Sequence, residues 1–195
     1  FLDRFVGAGT RPSFVKHLID SEHRKGCDRA CYTCLRSYRN RFIDSLLDWR
    51  LGYELVRTLQ DPTHVAGLLD LNHKGSSSEG LDSWTIDSNA SVRRLIAAFP
   101  DECRVLETPL TSSPIPAFLL KEAGHSRVVL VRHPLWADRS SLQGNMLDAA
   151  FVEVERLDHS LPPDIVDSYN LQHRPSWTRE QLLGRLRAGS TIQQS

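Results

Sequence analysis

Three cysteines within eight residues constrain this chain more than any other feature of its sequence. They stand as Cys27-x3-Cys31-x2-Cys34 in the segment GCDRACYTCLRSYRN, which is polar and contains a glycine. So dense a cluster is unlike the framework of a disulfide-stapled fold, and in a cytoplasmic chain it usually marks a metal site. Thiolates are soft ligands that select zinc or an iron–sulfur cluster. The sequence therefore predicts a turn whose shape is set by a bound metal.

The fourth ligand of a tetrahedral site is left open by the sequence. Structural zinc takes four protein ligands, and short spacings let one turn of backbone supply two or three of them. His23 is the nearest further donor, four residues before Cys27. The alternatives are His17, Cys103 and, if the chain is part of a longer protein, a residue upstream of Phe1. Three reduced cysteines that hold no metal are the remaining interpretation.

Charge is unevenly distributed although the totals balance at 24 basic and 24 acidic residues. Residues 1–60 hold 11 Lys/Arg against 7 Asp/Glu, a net charge of +4, whereas residues 61–195 hold 13 against 17, a net charge of −4. Between His23 and Arg41 there are six basic residues and one acid. Such a basic patch indicates either a polyanionic partner or a solvated charged face.

Composition and the N-terminal residues limit the classes of protein to which this chain can belong. Hydrophobic residues make up 40% of the chain and charged residues 25%, which is ordinary for a globular protein. No run approaches the 18 consecutive apolar residues of a membrane span, so no membrane partner is expected. The chain starts without an initiator Met or a secretory signal. We expect a cytoplasmic chain cut from a longer protein.

Hydrophobic periodicity predicts a helical N-terminal region. A short helix is predicted over 11–22. Residues 35–59 carry apolar side chains at spacings of three and four, which predicts one long amphipathic helix. Tyr38 lies on its apolar stripe, so it is expected to pack in the core. Together with the cysteine turn, residues 1–71 are predicted to form a helical zinc-binding module.

A linker and a second domain are predicted after this module. Residues 72–90 contain NHKGSSSEG, a composition typical of a flexible linker. Residues 91–190 are predicted to form a small mixed α/β domain, and 191–195 a frayed tail. The predicted helices are 91–99, 141–151 and 177–187, and the predicted strands are 104–107, 117–121, 127–132 and 151–157. The predicted fold class is α+β.

The residues around the cysteines resemble a known family. The segment GCDRACYTCLRSYRNRFIDSLLDWRLG is similar to the zinc-binding module at the C-terminal end of bacterial DEAD/DEAH-box superfamily 2 helicases of the mitomycin repair factor A type, which carry a DUF1998 domain. The matching positions are Cys27, Ala30, Cys31, Cys34, Leu35, Ser37, Tyr38, Asn40, Leu46, Leu47, Asp48, Trp49 and Arg50. The match is confined to this segment.

The resemblance implies a structural zinc module attached to a DNA-translocating motor of DNA repair or phage defence. Its partners would be DNA, as a single strand or a duplex junction, and the helicase motor in cis or in trans. The zinc ligands of these relatives are four cysteines, whereas this motif offers three. Basic side chains here would contact phosphates, and Tyr32 and Tyr38 would stack on unpaired bases, with packing in the core the favoured alternative for Tyr38. The predicted nucleic-acid-binding residues are Lys25, Arg29, Tyr32, Arg36, Arg39, Arg41 and Arg50.

Motifs of a motor or a nuclease are missing from the sequence. There is no phosphate-binding loop ending in Gly-Lys-Ser/Thr, so ATP would belong to the motor of the parent protein and not to this chain. The C-terminal domain weakly resembles a degenerate restriction-endonuclease-like core found at the end of some of these helicases. Where that core needs acids to hold a metal, this chain has Ala117 and the segment 127–131, which lacks a carboxylate. We predict no catalytic residues.

Two other functions are consistent with the same residues. One is a metal-stapled protein-interaction module with no nucleic-acid role. The other is a radical S-adenosylmethionine enzyme, because C-x3-C-x2-C is the spacing with which three thiolates bind a [4Fe–4S] cluster in that family. That resemblance is in spacing only, since Thr33 precedes the third cysteine where the family usually has an aromatic residue.

Overall fold

In the computed structural model the chain divides between Gly80 and Leu81 into unit 1, residues 1–80, and unit 2, residues 81–195. This division lies within the predicted linker over 72–90. The structure describes residues 14–27, 29–61, 63–67, 80–108, 110–111, 115–136, 145–157 and 162–193. Residues 72–79 of the linker lie outside them.

Unit 1 consists of short helices joined by turns. Its elements are α1 (Phe14–Ile19), α2 (Ser21–Gly26), a 3-10 helix (Tyr38–Leu46) and α3 (Trp49–Gln60). The prediction of one helix over 11–22 is wrong, because the chain breaks at Asp20. The Asp20 carboxylate accepts a hydrogen bond from the Glu22 amide at 2.9 Å. This cap satisfies an amide that the first turn of a helix leaves free, so a second helix starts here.

The long helix predicted over 35–59 is also wrong, because two separate elements occupy that segment. Leu47 and Asp48 adopt extended backbone between the 3-10 helix and α3. The Asp48 carboxylate accepts a hydrogen bond from the Arg50 amide at 2.9 Å and caps α3. Aspartate competes with helical hydrogen bonding in this way, so it favours the start of a helix over its interior.

The break changes the environment of the predicted apolar stripe. On the 3-10 helix Tyr38 is 76% exposed and Phe42 is 82% exposed. The prediction that Tyr38 packs in the core is therefore wrong. A 3-10 helix has 3.0 residues per turn, so side chains spaced alternately by three and four positions do not stay on one buried face.

Among the described residues of unit 1, an apolar cluster centres on the cysteines. Its buried residues are Leu18, Cys27 and Trp49. The partly buried residues packed against them are Cys31, Cys34, Leu35 and Tyr53. A metal bound by these cysteines would cross-link this cluster, and its binding free energy would add to the stability of the fold.

A buried pair of polar side chains holds the segment that follows α3. Glu54 on α3 and His64 are both buried, with Glu54 Oε2 2.6 Å from His64 Nε2. Burial raises the pKa of Glu54, and the hydrogen bond with His64 opposes that rise. The pair satisfies two polar groups that would otherwise be costly to bury, and it ties the segment to the helix.

Unit 2 combines helices with a four-stranded sheet. Its elements are α4 (Gly80–Ala98), β1 (Cys103–Arg104), β2 (Ala117–Glu122), β3 (His125–Arg132), α5 (Asn145–Glu155), β4 (Asp164–Asp167), α6 (Ser168–His173) and α7 (Pro175–Gln193). The sheet order is β1-β2-β3-β4, antiparallel except for the parallel pair β3 and β4. Helices combined with a four-stranded mixed sheet confirm the predicted α+β class.

Chain connections explain the two kinds of strand pairing. The antiparallel strands β2 and β3 are joined by Ala123 and Gly124, both with positive φ (49° and 84°). A two-residue hairpin turn of the primed type needs this left-handed backbone at both positions. The parallel strands β3 and β4 are joined through α5, as a parallel pair requires a crossover connection.

Several predicted elements of unit 2 differ from the structure. The strand predicted over 151–157 is wrong, because residues 151–155 belong to α5. The alternation of FVEVE resembles a strand, yet Leu147, Ala150, Phe151 and Val154 are buried at helical spacing. β4 and α6 were not predicted, since segments of four and six residues carry too little periodic signal.

The predicted bounds of other elements also shift. The helix predicted over 91–99 starts at Gly80, so residues 80–90 of the predicted linker are helical. The closing helix extends to Gln193, through residues predicted to fray. The strand predicted over 104–107 is limited to Cys103 and Arg104.

The sheet of unit 2 is buried on both faces. Val128, Val129, Leu130 and Val131 of β3 are all fully buried, although alternate residues of a strand point to opposite faces. α5 contacts β3, and α7 contacts β2 and β3. The main core cluster comprises Val92, Leu95, Cys103, Phe118, Leu120, Val129, Val131, Val166, Leu171, Leu182, Leu183 and Leu186. Among the described residues, no helix has the length and apolar character needed to cross a bilayer.

Replacing Phe118 by alanine is expected to lower the free energy of unfolding of unit 2 by about 3–5 kcal/mol, because a fully buried ring is lost and a cavity remains. Val105→Ala, at an exposed position of the same unit, is the matched control and should change stability by less than about 0.5 kcal/mol. Urea unfolding followed by circular dichroism measures both. Equal, small losses would contradict this description of the core.

Candidate metal centre

The cysteine turn, residues 27–37, folds back on itself through short-range hydrogen bonds. Cys27 follows the last residue of α2 in extended backbone. The Cys34 amide donates to the Cys31 carbonyl at 3.1 Å, and the Arg36 amide donates to the same carbonyl at 2.9 Å. These two bonds close a tight turn between the second and third cysteines, which brings their sulfurs to one side.

Four donor atoms converge on one point. They belong to His23, Cys27, Cys31 and Cys34, and all lie within 4.8 Å of one another. Cys34 Sγ is 3.7 Å from Cys27 Sγ and 3.6 Å from Cys31 Sγ. His23 Nε2 is 3.5 Å from Cys31 Sγ. This group can hold a metal ion, and its four residues are those predicted from the sequence.

The separations fit a single tetrahedral ion. With Zn–S of about 2.3 Å and Zn–N of about 2.0–2.1 Å, tetrahedral angles place two sulfurs about 3.8 Å apart and a sulfur and a nitrogen about 3.6 Å apart. Three of the six separations match these edges, with 3.6–3.7 Å between two pairs of sulfurs and 3.5 Å between nitrogen and sulfur. The other three pairs lie within 4.8 Å. The donor set is compatible with zinc and equally with other divalent ions that accept tetrahedral thiolate coordination.

A hydrogen bond fixes which nitrogen of His23 faces the cysteines. His23 Nδ1 lies 2.9 Å from the Leu18 carbonyl at the end of α1. A carbonyl oxygen can only accept, so Nδ1 carries the proton and Nε2 presents its lone pair to the site. Metal-binding histidines are usually oriented by such a bond on the other ring nitrogen. His23 is also buried, with its ring edge-on to Trp49 at 5.6 Å.

Trp49 couples the cysteine turn to the first turn of α3. Its indole Nε1 donates to the Cys27 carbonyl at 3.5 Å, and its backbone amide donates to the Arg29 carbonyl at 2.9 Å. The ring itself is almost completely buried. Trp49 therefore packs beside His23 and positions the turn on the helix that follows it.

The thiols of Cys27 and Cys31 differ in how readily they ionise. Burial opposes ionisation of Cys31, but hydrogen bonds with Thr33 outweigh it and lower the pKa of the thiol to about 6. Burial raises the pKa of Cys27, and hydrogen bonds with Cys31 and Cys34 raise it further. Three thiolates this close repel one another, so a cation at their centre is needed to hold all three ionised.

The other candidates for the fourth ligand lie elsewhere. Cys103 is fully buried in the core of unit 2, and burial raises the pKa of its thiol to about 11. His17 is exposed and packs its ring against that of His23, with centroids 4.8 Å apart. The region around Phe1 is outside the described residues. His23 is thus the donor that completes the described group.

The predicted nucleic-acid-binding residues differ in their exposure and in the ion pairs that their side chains form. Lys25 pairs with Glu22 at 2.9 Å, Arg36 lies 3.7 Å from Asp44, and Arg50 is half-buried against Asp48 at 3.3 Å. The remaining residues are Arg29, which is half-buried, and Tyr32, Arg39 and Arg41, which are exposed. The Arg50 side chain pairs with Asp48, the cap of its own helix, so it is the least available to a ligand.

Phe42 was not among the residues predicted to bind nucleic acid. It was part of the stripe assigned to a buried helix face, and the available signal was the Ser37 to Asn40 segment, whose polar side chains favour a local break. In the structure the Arg41 guanidinium lies over both neighbouring rings, 4.8 Å from the centroid of Tyr38 and 5.3 Å from that of Phe42.

Unit 2 has a cavity of about 500 Å³ beside the carboxyl end of β4. Its polar lining includes Arg132, Asp167 and Arg185. Asp167 caps α6 and Arg185 pairs with Asp164 at 2.7 Å, so these charges are used within the fold. Neither Ala117 nor any residue of β3 supplies a carboxylate, as the sequence indicated.

No family model, curated protein or solved structure matches this chain. The resemblance to the helicase module therefore stays a prediction from the residues of the cysteine turn and its flanks.

Replacing Cys31 by serine is expected to remove the bound metal and unfold unit 1, because the free energy of binding a structural metal is also folding free energy. Cys103→Ala, which removes the cysteine outside the site, is the matched control and should keep the metal. Elemental analysis and thermal unfolding measure both effects. A Cys31→Ser protein with unchanged metal content and unfolding temperature would contradict the assignment.

Proposed function

We propose that this chain is a zinc-stabilised, non-motor accessory region of a DNA helicase, which binds DNA and braces the motor domains. The observation that carries the proposal is the convergence of His23 with the three cysteines on one tetrahedral site. The helicase context is supported by the resemblance of the surrounding residues to the zinc module of that family. DNA repair and phage defence are the processes in which such a parent protein acts.

The closed donor set supports a structural role for zinc. Catalytic zinc keeps one position for water or substrate, whereas structural zinc is enclosed by four protein ligands. His23 takes the fourth corner here and is buried. The distances between the sulfurs weigh against the iron–sulfur interpretation. Thiolates of a cluster bind different irons, so they would lie farther apart than the 3.6–3.7 Å seen between these sulfurs.

The charge around the cysteine turn supports a nucleic-acid partner. Between Arg29 and Ile43 the chain has four arginines and no acidic residue. Arg36, Arg39 and Arg41 are exposed there. Guanidinium groups bind phosphates through directed pairs of hydrogen bonds, which position a protein on the backbone without reading sequence. The metal would hold this basic segment in one conformation.

A protein-interaction role has its own support on α3. Leu55 and Leu59 are both exposed and lie one turn apart on the same face of the helix. Such a strip is suited to packing against another domain. In the proposed function it would contact the motor, and in the alternative it would bind a separate partner without any nucleic acid.

The double variant Arg36→Glu/Arg39→Glu is expected to weaken binding to a fluorescein-labelled oligonucleotide and to reduce the slope of log K against log salt by about 1 to 2. The melting temperature should hardly change, because the exposed Arg36–Asp44 pair contributes about 0–1 kcal/mol. Fluorescence anisotropy from low to moderate salt measures the slope.

Arg93→Glu/Arg104→Glu, two charge reversals at exposed positions of unit 2, makes the same change in net charge and should retain most of the affinity. Equal losses in both variants would show non-specific attraction. Unchanged affinity in the double variant would show that this face is not the DNA surface.

A further inference from the structure

Two large aromatic side chains stand exposed on the 3-10 helix. Tyr38 is 76% exposed and Phe42 is 82% exposed, and the adjacent Ile43 is also exposed. Aromatic residues contribute most of the burial in protein cores and interfaces, so their exposure together in one short segment marks a contact surface. We call Tyr38, Arg41 and Phe42 the aromatic platform.

Arg41 links the two rings. Its guanidinium carbon lies 4.8 Å from the centroid of the Tyr38 ring and 5.3 Å from that of the Phe42 ring, within the range of a cation–π contact. The platform therefore combines π faces with a positive charge. Planar aromatic groups linked to negative charges are the ligands that suit such a surface.

Local hydrogen bonds hold the platform in place. The Ser37 amide donates to Asn40 Oδ1 at 2.6 Å, and Asn40 Nδ2 donates to the Leu35 carbonyl at 2.7 Å. These bonds fix the start of the 3-10 helix a few residues after Cys34, a donor of the metal site. A surface held rigid in this way loses little conformational entropy when it binds.

The charges around the platform select among its ligands. Arg36 and Arg39 are exposed beside it, and the segment 29–43 has no acidic residue. Asp44, the next residue along the chain, lies 3.7 Å from Arg36. An apolar protein surface would gain little from three arginines, whereas a nucleic acid supplies both phosphates and aromatic bases. Paired bases in a duplex are already stacked on their neighbours. Only unpaired bases offer free π faces to Tyr38 and Phe42.

We propose that the aromatic platform stacks the unpaired bases of single-stranded DNA, with the flanking arginines on its phosphates. The proposal rests on the proposed DNA-binding function and deepens it, because it names the strand state and the contacts that select it. It predicts a preference for single strands over duplexes, which phosphate contacts alone do not give.

The test uses the full chain and three fluorescein-labelled ligands of equal length. They are an oligo(dT), the same strand with abasic positions at its centre, and a blunt duplex. Phe42→Ala and Tyr38→Ala remove one ring each. Ile86→Ala, at an exposed apolar position on α4, is the matched control. Metal content and circular dichroism confirm that each variant is folded.

Phe42→Ala should weaken oligo(dT) binding roughly 5- to 150-fold, the range found for loss of one base-stacking ring. Phe42→Trp should bind oligo(dT) at least as well as the unaltered chain. The abasic strand should bind the unaltered chain less well, and Phe42→Ala should add little further loss on it. This non-additivity shows that the ring and the base contact each other.

Three results would overturn the proposal in distinguishable ways. If the chain binds duplex and single strand equally and Phe42→Ala matches Ile86→Ala, the platform proposal fails and DNA binding by the arginines stands. If Phe42→Ala weakens abasic and normal strands to the same extent, the ring does not stack on bases. If no ligand binds even at low salt, the proposed DNA-binding function fails together with the platform.

Discussion

The convergence of His23 with Cys27, Cys31 and Cys34 is the interaction on which unit 1 depends. Among the described residues, the apolar cluster around these donors consists of Leu18, Trp49 and the partly buried side chains packed against them. A single ion at this point would join the end of α2, the cysteine turn and, through Trp49, the start of α3. The shape of the basic segment that follows the cysteines is then a consequence of metal binding rather than of apolar packing.

Unit 2 is stabilised by apolar packing around β3, an inner strand of its sheet whose residues 128–131 are fully buried. Among its polar side chains, Asp167 caps α6 and Arg185 pairs with Asp164. Exposed aromatic and basic groups lie instead on unit 1, beside the donor group that could hold a metal. A short segment that binds a metal can be stable without a large core. It can also present a rigid, accessible surface.

The metal site and the fold class were predictable from the sequence, whereas the conformation between the site and α3 was not. Cysteine spacing depends only on local chain geometry, so the three thiols and the nearest histidine follow from their positions along the chain. The apolar spacing over residues 35–59 is equally consistent with one continuous helix, because it carries no information about where helices are capped. Asp48 and the Ser37–Asn40 hydrogen bond override that pattern and expose Tyr38 and Phe42. The strand predicted over 151–157 failed for a similar reason, since a short alternating run also fits a helix.

The central claim is a mononuclear zinc site with three sulfur ligands and one histidine nitrogen. X-ray absorption at the zinc edge, on protein purified without oxygen, tests it most directly. The account predicts about three sulfurs at about 2.3 Å and one nitrogen at about 2.0–2.1 Å. Four sulfur ligands would contradict the role of His23, and iron with a coloured cluster, or no bound metal, would contradict the site itself.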